Sequence, residues 1–265
     1  FNLIMKAIQK HFAPGNVIQD VGVYPGIMPQ IFHEYFPREG NYTYYGVGLG
    51  FDKNFIEKMN EFNVELLECD LDPRLHLNEK LMSNIPLDNE SIDLTIFTDV
   101  IEHFYDPFYP LQEINRVSKL GAIMILTTDN LTRFGSQLAF IRGKSCNLPL
   151  MNGNIFFEGD WRPHFREYSK GELLHLLEWS GFEVISHKYY ESNFGYYHLE
   201  DGILKNDYYR HINFKNKVIN ILNQLSVKLL PYTRDNHILV VRKKLEYDEM
   251  MEKAPKICKS QNKWI

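Results

Sequence analysis

The chain has 265 residues, 44% of them apolar and 24% charged, with a formal net charge of −5. That length fits one large domain carrying an insertion, because a single core grows to about this size before chains divide. The mild acidity argues against a general nucleic-acid binder, which needs a basic face to displace counterions, and leaves a local basic patch open.

Three cysteines, Cys69, Cys146 and Cys258, lie too far apart for metal-type spacing and read as reduced thiols of a cytoplasmic protein. No apolar run is long enough for a transmembrane helix, and residues 1–12 are too short and polar for a signal or a span. A start on Phe1 leaves an upstream segment open.

Leu3, Ile4, Ala7 and Ile8 have helical spacing and predict a helix over 1–12, closed by Pro14-Gly15. Val17 and Ile18 then read as the end of a buried strand, with Asp20 at its carboxyl end, followed by a turn with Gly22 and Gly26. Over 26–36 the residues Ile27, Ile31, Phe32, Tyr35 and Phe36 give a helix one apolar face, and Pro29 must lie in its first turn. A strand, a glycine turn and a helix N-terminus together suit an anionic or zwitterionic ligand.

A second strand over 42–47 runs into GVGLG at 46–50, and a helix with Phe55, Ile56 and Met59 on one face follows. A third strand over 64–67 ends at Cys69-Asp70. Strands over 92–97 and 122–127 flank a helix over 107–119, with Asp106 as its N-cap and Pro107 as its first residue. Residues 129–165, rich in Gly, Asn, Pro and aromatics, are too long for an ordinary connection and predict a lid or substrate-binding insertion after the fifth strand.

Ser169 and Glu172 make a capping box for a helix striped by Leu173, Leu176 and Leu177 and ended by Gly181. Strands near 183–188 and 237–242 complete the sheet. A helix over 215–230 is expected to turn Val218, Ile221, Leu222, Leu225 and Leu229 into the core, while Lys215, Lys217 and Lys228 leave peripheral membrane contact open. Residues 1–245 thus read as one domain and 246–265 as a charged peripheral tail.

Strands alternating with helices predict an α/β, doubly wound, mostly parallel sheet. Ligands of such sheets bind outside the carboxyl ends of the strands, near the point where strand order reverses. Asp20, Gly22, Asp70, Thr98, Asp99, Asp129 and Asn130 all fall at such ends, which predicts one shared crevice.

VIQDVGVYPG at 17–26, ECDLD at 68–72, IDLTIFTDVIEHFYDP at 92–107, LGAIMILTTDN at 120–130 and HFREYSKGELLHLLEWSGFEV at 164–184 carry a family resemblance. Over roughly 12–190, and more loosely the last strand, the chain resembles the class I S-adenosylmethionine-dependent methyltransferases. DVIEH with H-x-R-E-Y is the most specific combination, similar to the small-molecule branch with its ubiquinone-biosynthesis-type and glycan-modifying enzymes.

The resemblance implies a seven-stranded Rossmann-like sheet, S-adenosylmethionine as cofactor and a small-molecule acceptor. It places Asp20, Gly22 and Gly26 along the methionine end of the cofactor, and Asp70 with the backbone of Leu71 at the adenine edge. Thr98 and Asp99 come under the sulfonium and amino-acid portion, and His103 on the reaction side.

Two departures stand out. Tyr24, followed by Pro25, occupies the position of the usual middle glycine, where its ring shapes or partly fills the pocket. Gly48 stands where an acid usually binds the ribose, with Asp52 the nearest substitute. Gly46-x-Gly48-x-Gly50 with Asp70 downstream also fits a nicotinamide-binding turn, but lacks the last element of that fingerprint.

A sulfonium already activates its methyl group, so such an enzyme mainly aligns a nucleophile and, for a hydroxyl, removes a proton. His103 and His164 are the candidate bases, since imidazole titrates in the useful range. Glu102 either orients a histidine or stays solvated. Trp161, Arg166 and Tyr168 stand where an acceptor would enter, the alternative being that H-x-R-E-Y anchors the insertion to the sheet. No spacing of histidines and carboxylates argues for a metal.

Aromatics including Phe156, Phe157, Trp161, Phe165, Tyr189 and Tyr190 suit a flat polar acceptor or plain core filling. The expected function is methyl transfer to a hydroxyl of a small sugar-like molecule. A methyltransferase-fold binding or scaffold protein without turnover is the alternative, which Tyr24 and Gly48 keep open. No feature of the sequence fixes the oligomeric state.

Overall fold

Every strand predicted from the apolar runs forms; those over 64–67 and 92–97 gain one residue at their carboxyl ends, the one over 42–47 is shifted by one, and those over 122–127, 183–188 and 237–242 extend at both ends. The computed structural model describes residues 1–36, 41–72, 82–145, 162, 164–191, 197–200, 203–206 and 214–260. In chain order the elements are α1 (Asn2–Gln9), β1 (Val17–Val21), α2 (Ile27–Tyr35), β2 (Thr43–Gly48), α3 (Lys53–Glu61), β3 (Val64–Glu68), β4 (Ile92–Thr98) and α4 (Phe108–Val117). They continue as β5 (Ser118–Asp129), α5 (Phe134–Ile141), α6 (Lys170–Trp179), β6 (Phe182–Tyr190), β7 (Tyr197–Glu200), β8 (Ile203–Asn206), α7 (Phe214–Leu229), β9 (Asn236–Lys243) and α8 (Tyr247–Ser260).

Seven strands form one sheet in the order β3-β2-β1-β4-β5-β9-β6, and β7 with β8 forms a separate hairpin. Pairings among β3, β2, β1, β4 and β5 are parallel, and only β9 runs antiparallel, against both β5 and β6. Strand order reverses between β1 and β4. The crevice at that switch point is where a ligand of this architecture sits.

One core cluster covers each face of the sheet. Met5, Ile8, Met28, Phe32, Phe55 and Met59 pack α1, α2 and α3 against Ile18, Leu94 and Ile96 on one side. Leu111, Ile114, Leu173 and Leu177 pack α4 and α6 against Phe97, Met124 and Leu239 on the other. The capping box is formed as expected, with Ser169 and Glu172 each bonded to the other's backbone, and Gly181 follows at φ +79°.

Three expectations need correction. The helix after β4 stops at Val117, and β5 starts at once, because Ser118 pairs with Ile92 and its buried carbonyl accepts from the fully buried Lys243 ammonium. Helix α7 buries Val227, yet Ile221, Leu222, Leu225 and Leu229 are exposed rather than turned into the core. The segment after 246 begins as α8, whose Met250 is fully buried.

The expected insertion contains α5, while 146–161 and 163 lie outside the described residues. Among the described residues no helix is long and apolar enough to cross a membrane.

Candidate active site

The site is built from the chain segments that leave the carboxyl ends of β1, β2, β3 and β4. Here Asp20, Gly22, Tyr24, Gly48, Asp70, Leu71, Thr98, Asp99 and His103 all line one cavity of about 590 Å³. That volume is in the range of small-molecule and cofactor sites. Val100, Phe104 and Arg162, which sequence reasoning did not single out, line it as well.

Asp20 is 2% exposed, and its Oδ2 accepts a 3.1 Å hydrogen bond from the Tyr44 hydroxyl. Burial pushes its carboxyl up to about 7, the Tyr44 bond opposing. At the end of β4 the chain passes through Asp99 with φ +54°, a conformation rare outside glycine. Two bonds to Thr127 of β5 fix it there: Asp99 N donates to the Thr127 carbonyl at 3.0 Å, and Thr127 Oγ1 donates to Asp99 Oδ1 at 2.8 Å. Burial raises the Asp99 carboxyl above its ordinary range.

Asp70 is already engaged on both oxygens. Oδ1 accepts from the Asp72 amide at 2.9 Å, and Oδ2 pairs with the Arg162 guanidinium at 2.7 Å, with both side chains largely buried. An adenine edge at Asp70 must share those oxygens or displace Arg162.

The glycines do different work. Gly22 has φ +82°, and a Cβ there would come within 2.3 Å of Val100 Cγ2, so the bare backbone lets the β4 segment close against the β1 turn. Gly26, at φ +81°, is the N-cap of α2, and a Cβ would meet Met59 Cε at 2.5 Å. It is a helix-packing glycine and is not among the cavity-lining residues. Tyr24 is 59% exposed and lies with its ring centroid 5.1 Å from that of Phe55, so it caps the cavity's edge instead of filling it.

No acid stands on β2. A Cβ at Gly48 would meet the Phe51 ring at 3.2 Å. Asp52 is the N-cap of α3, its Oδ1 accepting from Phe55 N at 2.8 Å, and it is not among the lining residues. The parallel register instead sets Glu68 directly across from Gly48, and Glu68 Oε1 accepts from Gly50 N at 3.0 Å.

On the acceptor side, His103 lines the cavity and His164 meets it edge-on, ring centroids 4.5 Å apart. His164 Nδ1 lies 3.1 Å from Asp129 Oδ2. That hydrogen bond holds His164 above its usual value, with burial opposing; burial would raise the Asp129 carboxyl, but His164 outweighs it and keeps it low. His103 Nδ1 donates to the Arg162 carbonyl at 2.5 Å.

Glu102, expected to orient a histidine or stay solvated, is 1% exposed and accepts from Thr128 Oγ1 at 2.8 Å. Its ligand atom and those of His103 and His164 all lie within 4.8 Å of one another, although sequence spacing gave no sign of such a group.

The H-x-R-E-Y segment divides. Phe165 N donates to the Glu102 carbonyl at 2.8 Å, and Leu131 N to the Tyr168 carbonyl at 2.9 Å, tying the segment to the sheet edge. Tyr168 is 2% exposed in the core, and its hydroxyl donates to the Ile101 carbonyl. Arg166 pairs with Glu172 on the surface, its guanidinium 5.3 Å from the Tyr168 ring centroid. Neither is among the cavity-lining residues, so these two read as anchors and not as acceptor contacts. Trp161 lies outside the described residues.

Known proteins fit this geometry. A family model described as methyltransferase domain matches residues 20–126, from the acid ending β1 into β5. Residues 20–126 thus resemble a methyltransferase domain.

A protein of Mycolicibacterium smegmatis named a probable S-adenosylmethionine-dependent methyltransferase is 30% identical over 112 residues, which are 42% of this chain and 37% of that protein. The chain therefore spans little more than a third of that relative's length. Among solved structures, an S-adenosylmethionine-dependent methyltransferase from Methanosarcina mazei superposes with a TM-score of 0.56 at 14% identity, covering 90% of this chain and 97% of that one. The [4+2]-cyclase SpnF superposes at 0.55 and 14% identity, covering 92% and 80%. At such identities these likenesses speak for the fold.

The Mycolicibacterium relative is named for S-adenosylmethionine, and the residues lining this cavity suit that molecule. The molecule carries a sulfonium and an ammonium, and Asp20, Asp70 and Asp99 line the cavity against one lining arginine, Arg162. The nicotinamide alternative fails on the glycines as well. A Cβ at Gly46 would meet Leu66 and Val23 inside the sheet, so that glycine serves strand packing and not a phosphate turn.

Proposed function

We propose that this chain moves a methyl group from S-adenosylmethionine to a hydroxyl of a small, sugar-like acceptor in the cytoplasm. The observation that carries this reading is His103 in the wall of the acid-lined cavity, with the His164 ring edge-on against it and Asp129 behind His164. When bound, the cofactor supplies an activated methyl group on sulfur. Asp20 and Asp99 offer negative charge to its cationic end, and Thr98 and Leu71 shape the walls. Asp129 fixes the His164 ring so that its other nitrogen faces away from the carboxylate and can take a hydroxyl proton. Alignment supplies the rest, since holding an oxygen in line with the methyl carbon removes most of the entropic barrier.

The test is cofactor titration followed by mass-spectrometric detection of methylated product across a panel of hydroxylated glycosides and phenols. His164→Gln should lower kcat by about 10²–10⁴-fold, the usual worth of a general base, with cofactor affinity kept. Full turnover in that variant, or no cofactor binding by the parent chain, would sink the reading.

A second reading is a binding protein on the same fold, favoured by the absent acid at Gly48. SpnF, a [4+2]-cyclase of similar fold, shows that this architecture also hosts other chemistry. Tight cofactor binding without product on any acceptor would favour it.

A further inference from the structure

We propose that Glu102, His103 and His164 bind one divalent transition-metal cation, of the Zn²⁺ or Mn²⁺ type, at the acceptor end of the cavity. Two imidazoles and one carboxylate are a donor set of catalytic metal sites, which use three protein ligands and keep a position open. Magnesium, which prefers oxygen, is disfavoured by two nitrogens.

The fold brings the three together by backbone, not by chance contact of long side chains. Glu102 and His103 are consecutive in the 3-10 turn that leaves β4, and the chain carrying His164 is bonded to that turn through Phe165 N and the Glu102 carbonyl at 2.8 Å. The ligand atoms lie within 4.8 Å of one another. A four-coordinate ion of this class sets its ligands about 3.5 Å apart, so side-chain rotations of about an ångström close the group.

Each candidate ligand also has an outer partner of the kind that metal ligands need. Asp129 receives His164 Nδ1, the Arg162 carbonyl receives His103 Nδ1, and Thr128 Oγ1 donates to Glu102 Oε2. With the proton on Nδ1 of each neutral ring, the lone pair is on Nε2, the nitrogen a metal takes. Glu102 gives a further reason. It is 1% exposed, and no lysine or arginine among the described residues forms an ion pair with it. A bound cation supplies the missing counter-charge.

The cation changes what the histidines do. They become ligands, and an acceptor hydroxyl on the open position loses its proton more readily because the metal withdraws charge from its oxygen. That role in turnover rests on the methyl-transfer reading above, whereas the metal site does not.

The full chain, stripped with chelator and dialysed, would be titrated calorimetrically with ZnCl₂ and MnCl₂, with MgCl₂ as control, and with CoCl₂ followed by visible absorption. One equivalent should bind, with Co²⁺ bands of nitrogen and oxygen ligation. His103→Ala and His164→Ala should each weaken binding by more than about 100-fold, and Asp129→Asn by about 10–100-fold as an outer partner. Circular dichroism of each metal-free variant checks that it is folded.

No stoichiometric cation on the folded parent chain, or binding unchanged in both histidine variants, overturns the site. S-adenosylmethionine titrated into metal-free His164→Ala reads the methyl-transfer proposal apart from this one. A stoichiometric cation on a parent chain that binds no cofactor leaves the site standing, and cofactor binding by a folded parent chain that takes up no cation removes it.

Discussion

Asp20 is the residue whose chemistry is most exposed to pH. The folded carboxyl keeps its proton up to about 7, whereas the unfolded chain loses it near 3.8. Between those values the folded state binds more protons, so stability of the cofactor-free chain should fall as pH rises through the window and level off above it. The loss is at most about 4 kcal/mol, the three-unit shift at about 1.4 kcal/mol each. Asp20→Asn keeps an acceptor for the Tyr44 hydroxyl and should flatten that slope, read as denaturation midpoints between pH 4 and 8. An unchanged slope would mean that other groups carry it.

Glu68 bears on the missing ribose acid. Because it sits across from Gly48, Glu68→Gln should weaken cofactor binding by about 3–10-fold, in line with a charged hydrogen bond partly exposed to water, while Asp52→Asn should weaken α3 instead. Equal cofactor affinity in Glu68→Gln and the parent chain would remove that role.

At the scale of elements, the joint between the β1 turn and the β4 exit depends on Gly22. An alanine there meets both a left-handed φ of +82° and Val100 at 2.3 Å. Gly22→Ala should cost about 2–3 kcal/mol, and adding Val100→Ala should recover the steric part while leaving the backbone part. Full recovery would show that φ is not strained.

Signals written in local chemistry are legible in the sequence. The Ser169 and Glu172 box, the Gly181 stop and the apolar strands all follow from residues close together in the chain. The start of β5 is not legible in that way, since Ser118 is held by Lys243 from β9, and neither is the outward face of α7, whose periodicity says which residues share a side but not what covers that side. The strand-end rule gathers Asp20, Gly22, Asp70, Thr98 and Asp99 around one cavity, while Asp129 and Asn130 are not among its lining residues. It does not show that Gly26 and Asp52 serve helix starts, that Tyr168 is core, or that Arg162 crosses to Asp70, because each depends on partners distant in the chain. A buried Glu102 beside two histidines is equally out of reach, as no spacing encodes it.

At the scale of the molecule, the two halves of the cavity belong to different strands. The lining acids come from the β1, β3 and β4 ends, and the histidine group from the β4 exit and the chain beyond α5. Arg162 touches both, its guanidinium on Asp70 and its carbonyl on His103.

One arginine therefore acts as a tie-bar between the two compartments. A cofactor that pulls the guanidinium from Asp70 also disturbs the carbonyl that sets the His103 tautomer, so occupancy of one compartment is felt in the other. Linkage requires the effect to be mutual: cofactor and acceptor should alter each other's dissociation constants by the same factor. Arg162→Met, which cuts the bar on the Asp70 side only, should bring that factor to one in a pair of reciprocal titrations. A factor that survives the substitution would show that the message travels by another route. With the bar intact, each ligand alters the affinity of the other by the same factor whichever arrives first.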